Sequence, residues 1–190
     1  MEAGKRIEQI LDFWFSEKDA AGQATARKLW YQSDPGFDRE IRRQFLNETN
    51  LAAAGKRDDF SKTARGALAL ILLLDQFPRN LFRDTARAFA TDGKARATAE
   101  QALENGFDQA LPPVKRSFFY LPYMHSENRT DQQKCVALFE ANGNATSLDY
   151  AKRHAEIIGR FGRFPHRNSI LGRKSTKDEL AFLKRPNSGF

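Results

Sequence analysis

Phe60 to Asn80 reads FSKTARGALALILLLDQFPRN, and its apolar part decides the fold. No polar side chain interrupts Gly66 to Leu74. The run is far too short to cross a bilayer, which takes about 20 apolar residues. It also lacks the period-two alternation of a half-buried strand. Phe60 to Leu74 is therefore predicted as the most hydrophobic helix, central to an all-α core. It runs directly into Asp75-Gln76-Phe77-Pro78-Arg79-Asn80, where polar groups must meet that core. A second stretch, Ile157 to Arg173, reads IIGRFGRFPHRNSILGR and echoes this ending: QFPRN at 76–80 returns as FPHRN at 164–168. Both copies place Phe-Pro ahead of a basic residue and close on Arg-Asn. The pattern predicts turns that hold cationic groups at the edge of an apolar core.

Working outward, the rest of the chain also reads as helix. Ile7, Ile10, Leu11, Trp14 and Phe15 recur at three-to-four spacing. Ala24 to Tyr31 suggests a turn or brief helix. Asp34-Pro35 is a start signal, with aspartate as cap and proline in the first turn. Phe37, Ile41, Phe45 and Leu51 continue that helix, and Gly55 can close it. Asp84 to Ala90 and Gly93 to Asn105 suggest two more helices. Pro112-Pro113 opens another through Phe118 and Phe119, ending near Pro122. Thr130 is a cap for a helix through Val136, Leu138 and Phe139, which Asn142-Gly143-Asn144 interrupts. Ala145 to Arg160 resumes, and Thr176 with Glu179 resembles a capping box. The expected architecture is all-α: antiparallel helix pairs in a compact right-handed superhelix, as one domain over 1–190. Two small lobes sharing an interface fit the same length.

Hydrophobic residues make up 41% of the chain and 16 are phenylalanine, enough for a substantial core. A single cysteine, Cys135, excludes an internal disulfide framework and reads as a buried thiol. The start, MEAGKRIEQILDFWF, lacks the features of a secretory signal, so a cytoplasmic location without membrane association is expected. The net charge of +7 is uneven, because residues 151–190 hold ten Lys/Arg against three Asp/Glu. That region can attract phosphate metabolites, nucleic acid or an acidic partner, or form a solvated face. Trp14, Trp30, Tyr31, Phe118, Phe119, Tyr120 and Tyr123 fall in apolar stretches away from it. They read as core, and nucleic acid is an unlikely partner on these grounds.

Arg79, Arg163 and Arg167 offer planar donor forks suited to carboxylate or phosphate. Asn80 and Asn168 add directional amides. The structural alternative is pairing with Asp75, Glu127 or Asp131 to clamp helices together. Three histidines, His125, His154 and His166, match no compact metal motif, so no metal is assigned. Ser126 lacks a nucleophile-elbow context, and GRFGRFP is neither a P-loop nor a dinucleotide fingerprint.

The segments ILDFWF at 10–15, LALILLLDQFPRNLFRDTARAFATD at 68–92, FFYLPYMHSE at 118–127 and AKRHAEIIGRFGRFPHRNSILGRKSTKDELAFL at 151–183 carry a family resemblance. The chain resembles the bacterial family catalogued as domain of unknown function 924, placed among tetratricopeptide-like helical folds. The resemblance implies helix pairs stacked into a superhelix with a groove, and no assigned reaction. The matching positions implied for a shared polar site are Asp75, Gln76, Arg79, Asn80, His125, Glu127, His154, Arg163, His166, Arg167 and Asn168. Asp84 stands where relatives often have glycine, and Phe60 where they often show tryptophan.

The leading functional expectation is a binding scaffold whose Arg/His/Asp cluster recognises a small anionic ligand or an acidic group on a protein or peptide partner. A small-molecule enzyme using a histidine acid–base with arginine anion stabilisation is the alternative. Non-specific nucleic-acid binding is the third. No cofactor is required by the sequence, and it specifies neither a catalytic residue nor an oligomeric state.

Overall fold

Caps and turns decide where the helices begin and end. The computed structural model describes residues 2–17, 20, 27–30, 32–186 and 188. Among them the helices are α1 Glu2–Trp14, α2 Pro35–Ala53, α3 Ala64–Ile71, α4 Phe77–Leu81, α5 Asp92–Glu104, α6 Pro113–Met124, α7 Arg129–Asn142, α8 Ala145–Phe161 and α9 Lys177–Leu183. The described residues contain no strand. No helix is long and apolar enough to cross a membrane. The chain divides into two compact units, residues 1–83 with 87–122, and residues 84–86 with 123–190.

In the first unit the apolar helix starts later than expected. Thr63 Oγ1 accepts the Gly66 N–H at 3.1 Å and caps α3, so Phe60 falls in a preceding 3-10 turn, Asp58–Lys62. Regular helix ends at Ile71. Over Leu72–Gln76 the chain widens into a π turn, in which the Phe77 N–H bonds the Leu72 carbonyl. Pro78 accounts for the widening. It has no N–H for the Leu74 carbonyl, and in a regular helix its ring would strike that oxygen. The displaced carbonyl instead accepts from Thr91 Oγ1 at 2.5 Å. Every residue from Gly66 to Pro78 is buried.

Aromatic rings fill the core against this axis. Trp14 and Phe77 are 5.4 Å apart, Phe45 and Phe77 5.1 Å, and Phe118 meets Phe15 edge-on at 5.3 Å. Asp34 Oδ1 caps α2 by accepting the Phe37 N–H at 2.7 Å, as its Asp-Pro start implies. The helix expected over 84–90 needs correction. Asp84 to Ala90 forms only a 3-10 turn at Ala86–Ala88, because Asp84 takes a left-handed φ of 58°. It is the sole non-glycine residue with positive φ among those described. The helix α6 ends at Met124, two residues past Pro122 and so near that proline as expected. Of the segment Ala24 to Tyr31, Lys28–Trp30 forms a 3-10 turn, while 24–26 and Tyr31 lie outside the described residues.

The second unit is built on α7 and α8, which pack together across a two-residue connection and so form an antiparallel hairpin. Asn128, not Thr130, caps α7, because its Oδ1 reaches the Thr130 N–H at 2.8 Å. Gly143 closes α7 at φ 75° and Asn144 opens α8, as the Asn-Gly-Asn signal implies. Ile157, Ile158 and Phe164 form a small core against Phe161 and Phe182. Thr176 and Glu179 make the expected capping box of α9.

Gly66 is the tightest backbone approach in the first unit: a Cβ there would lie 2.1 Å from the Phe60 carbonyl oxygen. Gly66→Ala is expected to lower stability by roughly 1–3 kcal/mol in chemical denaturation, as overpacking does. An unchanged or raised midpoint, as for alanine in an exposed helix, would contradict this packing.

Candidate functional site

The eleven positions singled out by the family resemblance fall in both units, and each group is built by its own local chemistry. Asp75, Gln76, Arg79 and Asn80 belong to the first unit. The π turn and α4 carry them. Asp75 has no exposed surface, and the Gln76 amide donates to its Oδ2. Arg79 Nη2 lies 3.5 Å from Asp75 Oδ1. The same guanidinium makes a fork with Asp92, at 3.0 and 3.2 Å, and Nη1 also donates to the Ala88 carbonyl at 3.0 Å. Burial alone would lower the Arg79 pKa, but Asp75 and Asp92 outweigh it and raise the value. Asn80 points elsewhere and donates to Asp38 Oδ1 at 2.8 Å, beside the Arg83–Asp38 pair.

The other seven positions lie in the second unit. Arg163 is a clamp: its Nε and Nη2 reach Glu179 at 2.6 and 2.8 Å, and Nη2 also donates to the Lys174 carbonyl. Glu127 accepts the Phe164 N–H at 2.8 Å and a fork from Arg173 at 2.7 and 3.0 Å. Burial would raise the Glu127 pKa, but these donors turn the net shift downward. Asn168 is buried and donates to Ser175 Oγ at 3.0 Å.

Three of the remaining four residues converge on Phe164. The His154 ring meets it edge-on at 5.5 Å, His166 lies at 5.6 Å, and the Arg167 guanidinium sits 4.6 Å over its face. His154 Nδ1 is 2.8 Å from the Tyr150 carbonyl, so this nitrogen carries the proton. Burial pushes the His154 pKa down to about 3, and His125, His166 and Arg167 push the same way. His125 therefore belongs to this electrostatic neighbourhood. Two histidines and one permanent cation thus gather on the Phe164 ring, and His125 is near enough to act on His154.

Asp92, Glu179 and Arg173 were not among the positions read from the sequence as site residues, yet they complete these pairs. The Thr176-x-x-Glu179 capping box was the one local signal for any of them. Ser126 Oγ donates to Asp131 Oδ2 at 2.6 Å. Cys135 is fully buried, and burial raises its pKa. Trp14, Phe118, Phe119, Tyr120 and Tyr123 are core residues, and Trp30 is half-buried. Among the described residues no three His, Cys, Asp or Glu side chains are grouped to hold a metal ion.

Comparison with known proteins agrees with this architecture. Residues 10–187 match the family described as bacterial protein of unknown function, DUF924. The chain is similar to the solved structure of a protein of unknown function, ATU0120, from Agrobacterium tumefaciens. The two share 40% identity, with a TM-score of 0.88, over 96% of this chain and 98% of that one. No curated protein matches. The chain belongs to the DUF924 family.

The clamp at α9 has a pH signature. Arg163 above all holds the Glu179 carboxyl down at about 2, against an ordinary 4.5. A depressed carboxylate stabilises the fold fully above about pH 4.5 and loses that contribution as pH falls towards 2. Glu179→Gln is expected to be less stable than wild type at pH 7, with the two unfolding curves converging near pH 2. A constant difference across that window would contradict the pairing.

Proposed function

We propose that this DUF924 member is a binding scaffold that holds a small anion, or an acidic group of a protein partner, at His125, His166 and Arg167 of the second unit. The observation that carries the proposal is the gathering of His154, His166 and the Arg167 guanidinium around the Phe164 ring, with His125 close enough to act on His154. Phe164 supports Arg167 from below, which orients a planar donor without neutralising it. Glu127, whose carboxyl Arg167 helps to hold down, is bound in a fork by Arg173.

Arg79 and Arg163 belong to the proposal as clamps rather than ligand donors, since each guanidinium bonds a protein carboxylate and a backbone carbonyl. A proton-transfer role is less well supported. General acid–base catalysis works best with a pKa near the working pH, and His154 is held far below it. We extend the proposal to architecture: the α7–α8 hairpin is one repeat of a tetratricopeptide-like, right-handed stack, a form that presents binding surfaces.

Thermal unfolding with phosphate and citrate as probes tests the site. A ligand that binds the native state raises Tm. A rise is expected for wild type and for Arg163→Gln, whose baseline Tm is lower. It is expected to disappear in Arg167→Gln and to shrink in His166→Asn. No rise with either anion, or a rise that survives both of the last substitutions, would overturn the proposal.

A further inference from the structure

A separate cationic surface lies on the first unit. Arg39, Arg42, Leu46 and Asn50 follow one another at three- and four-residue steps, so they share one face of α2 over about 16 Å. The exit of α4 lies along the same face. Arg42 donates to the Leu81 carbonyl, Arg83 pairs with Asp38 at 2.5 and 3.0 Å, and Arg87 donates to Asn50 Oδ1 at 3.0 Å. Arg87 also covers the half-buried Phe82 ring, 3.8 Å from its centroid. All four arginines are exposed.

Charge along this row is poorly balanced. Arg42 and Arg87 bond a carbonyl and an amide, both neutral, and neither they nor Arg39 has a carboxylate partner among the described residues. Asp38 is shared by Arg83 and Asn80. Glu40 is held by Arg43 and Gln44. Asp34, the cap of α2, lies near the foot of the row, where its Oδ1 and Arg39 Nη2 flank Gly36 and it accepts the Phe37 N–H.

We infer that the Arg39–Arg42–Arg83–Arg87 face of α2 and the α4 exit is a docking surface for an acidic segment of a protein partner. Charge complementarity selects an acidic occupant. The composition favours protein over nucleic acid: arginines beside a half-buried aromatic ring are typical of protein interfaces, whereas a base-stacking platform needs an open ring face, and Arg87 covers that of Phe82. This surface is independent of the His125–His166–Arg167 group.

Fluorescence anisotropy with a labelled oligo-glutamate peptide and an oligothymidylate of equal charge tests it. Arg42→Gln/Arg87→Gln removes two charges while keeping an amide donor at each place. Lys152→Gln/Lys174→Gln removes two exposed cations from the second unit. The peptide is expected to bind wild type more tightly than the oligothymidylate, and to lose affinity about tenfold in the arginine variant but under about twofold in the lysine variant. Equal losses in both variants would mean net charge alone. A preference for the oligothymidylate, no peptide binding, or a loss in His125→Asn/His166→Asn without one in the arginine variant would each overturn the inference. Unchanged circular dichroism and Tm of each variant establish that the fold is intact.

Discussion

Asp75, a carboxylate with no exposed surface, ends the most apolar helix of the chain. A charge placed there costs several kcal/mol or more unless it is paired and hydrogen-bonded. The neighbouring elements meet that requirement together. Pro78 forces the π turn, which shifts Asp75 off the regular helical register. Gln76 and Arg79 then reach its two oxygens, while Asp92, at the start of α5, takes the other side of Arg79. The same displacement exposes the Leu74 carbonyl to Thr91, immediately before α5. One proline thereby ties the central helix to α4 and α5, through a bond network rather than through apolar contact alone.

The second unit solves a similar problem with different parts. Its apolar core is small, and the segment after α8 is largely irregular. Two arginine forks hold that segment: Arg163 joins it to α9, and Arg173 joins it to the turn before α7. Neither fork uses Arg167, which stacks on Phe164 beside the histidines. The two Phe-Pro motifs therefore differ in use. The arginine of the first forks a carboxylate, whereas the arginine of the second stacks on the Phe164 ring.

Local rules were legible where one residue type settles the backbone. Asp34-Pro35, Asn142-Gly143-Asn144 and Thr176-x-x-Glu179 each produced the element their chemistry implies. The errors came from competition between such rules. Asn128 and Thr130 both cap helices, and the residue nearer the chain's entry won. Asp84 holds a left-handed geometry that pattern alone did not assign to it. At the candidate site, the arginines and histidines were visible in sequence, but their partners were not. Asp92 lies 13 residues from Arg79, and Glu179 lies 16 from Arg163, separations at which no helical spacing applies.

The distinction between clamp and ligand donor is tested most directly at Arg79. A double-mutant cycle with Arg79→Gln and Asp92→Asn, read by chemical denaturation, measures their coupling. A favourable coupling of roughly 1–3 kcal/mol is expected for a partly buried, bidentate pair. Additive effects of the two substitutions would contradict the clamp and return Arg79 to the residues available for a ligand.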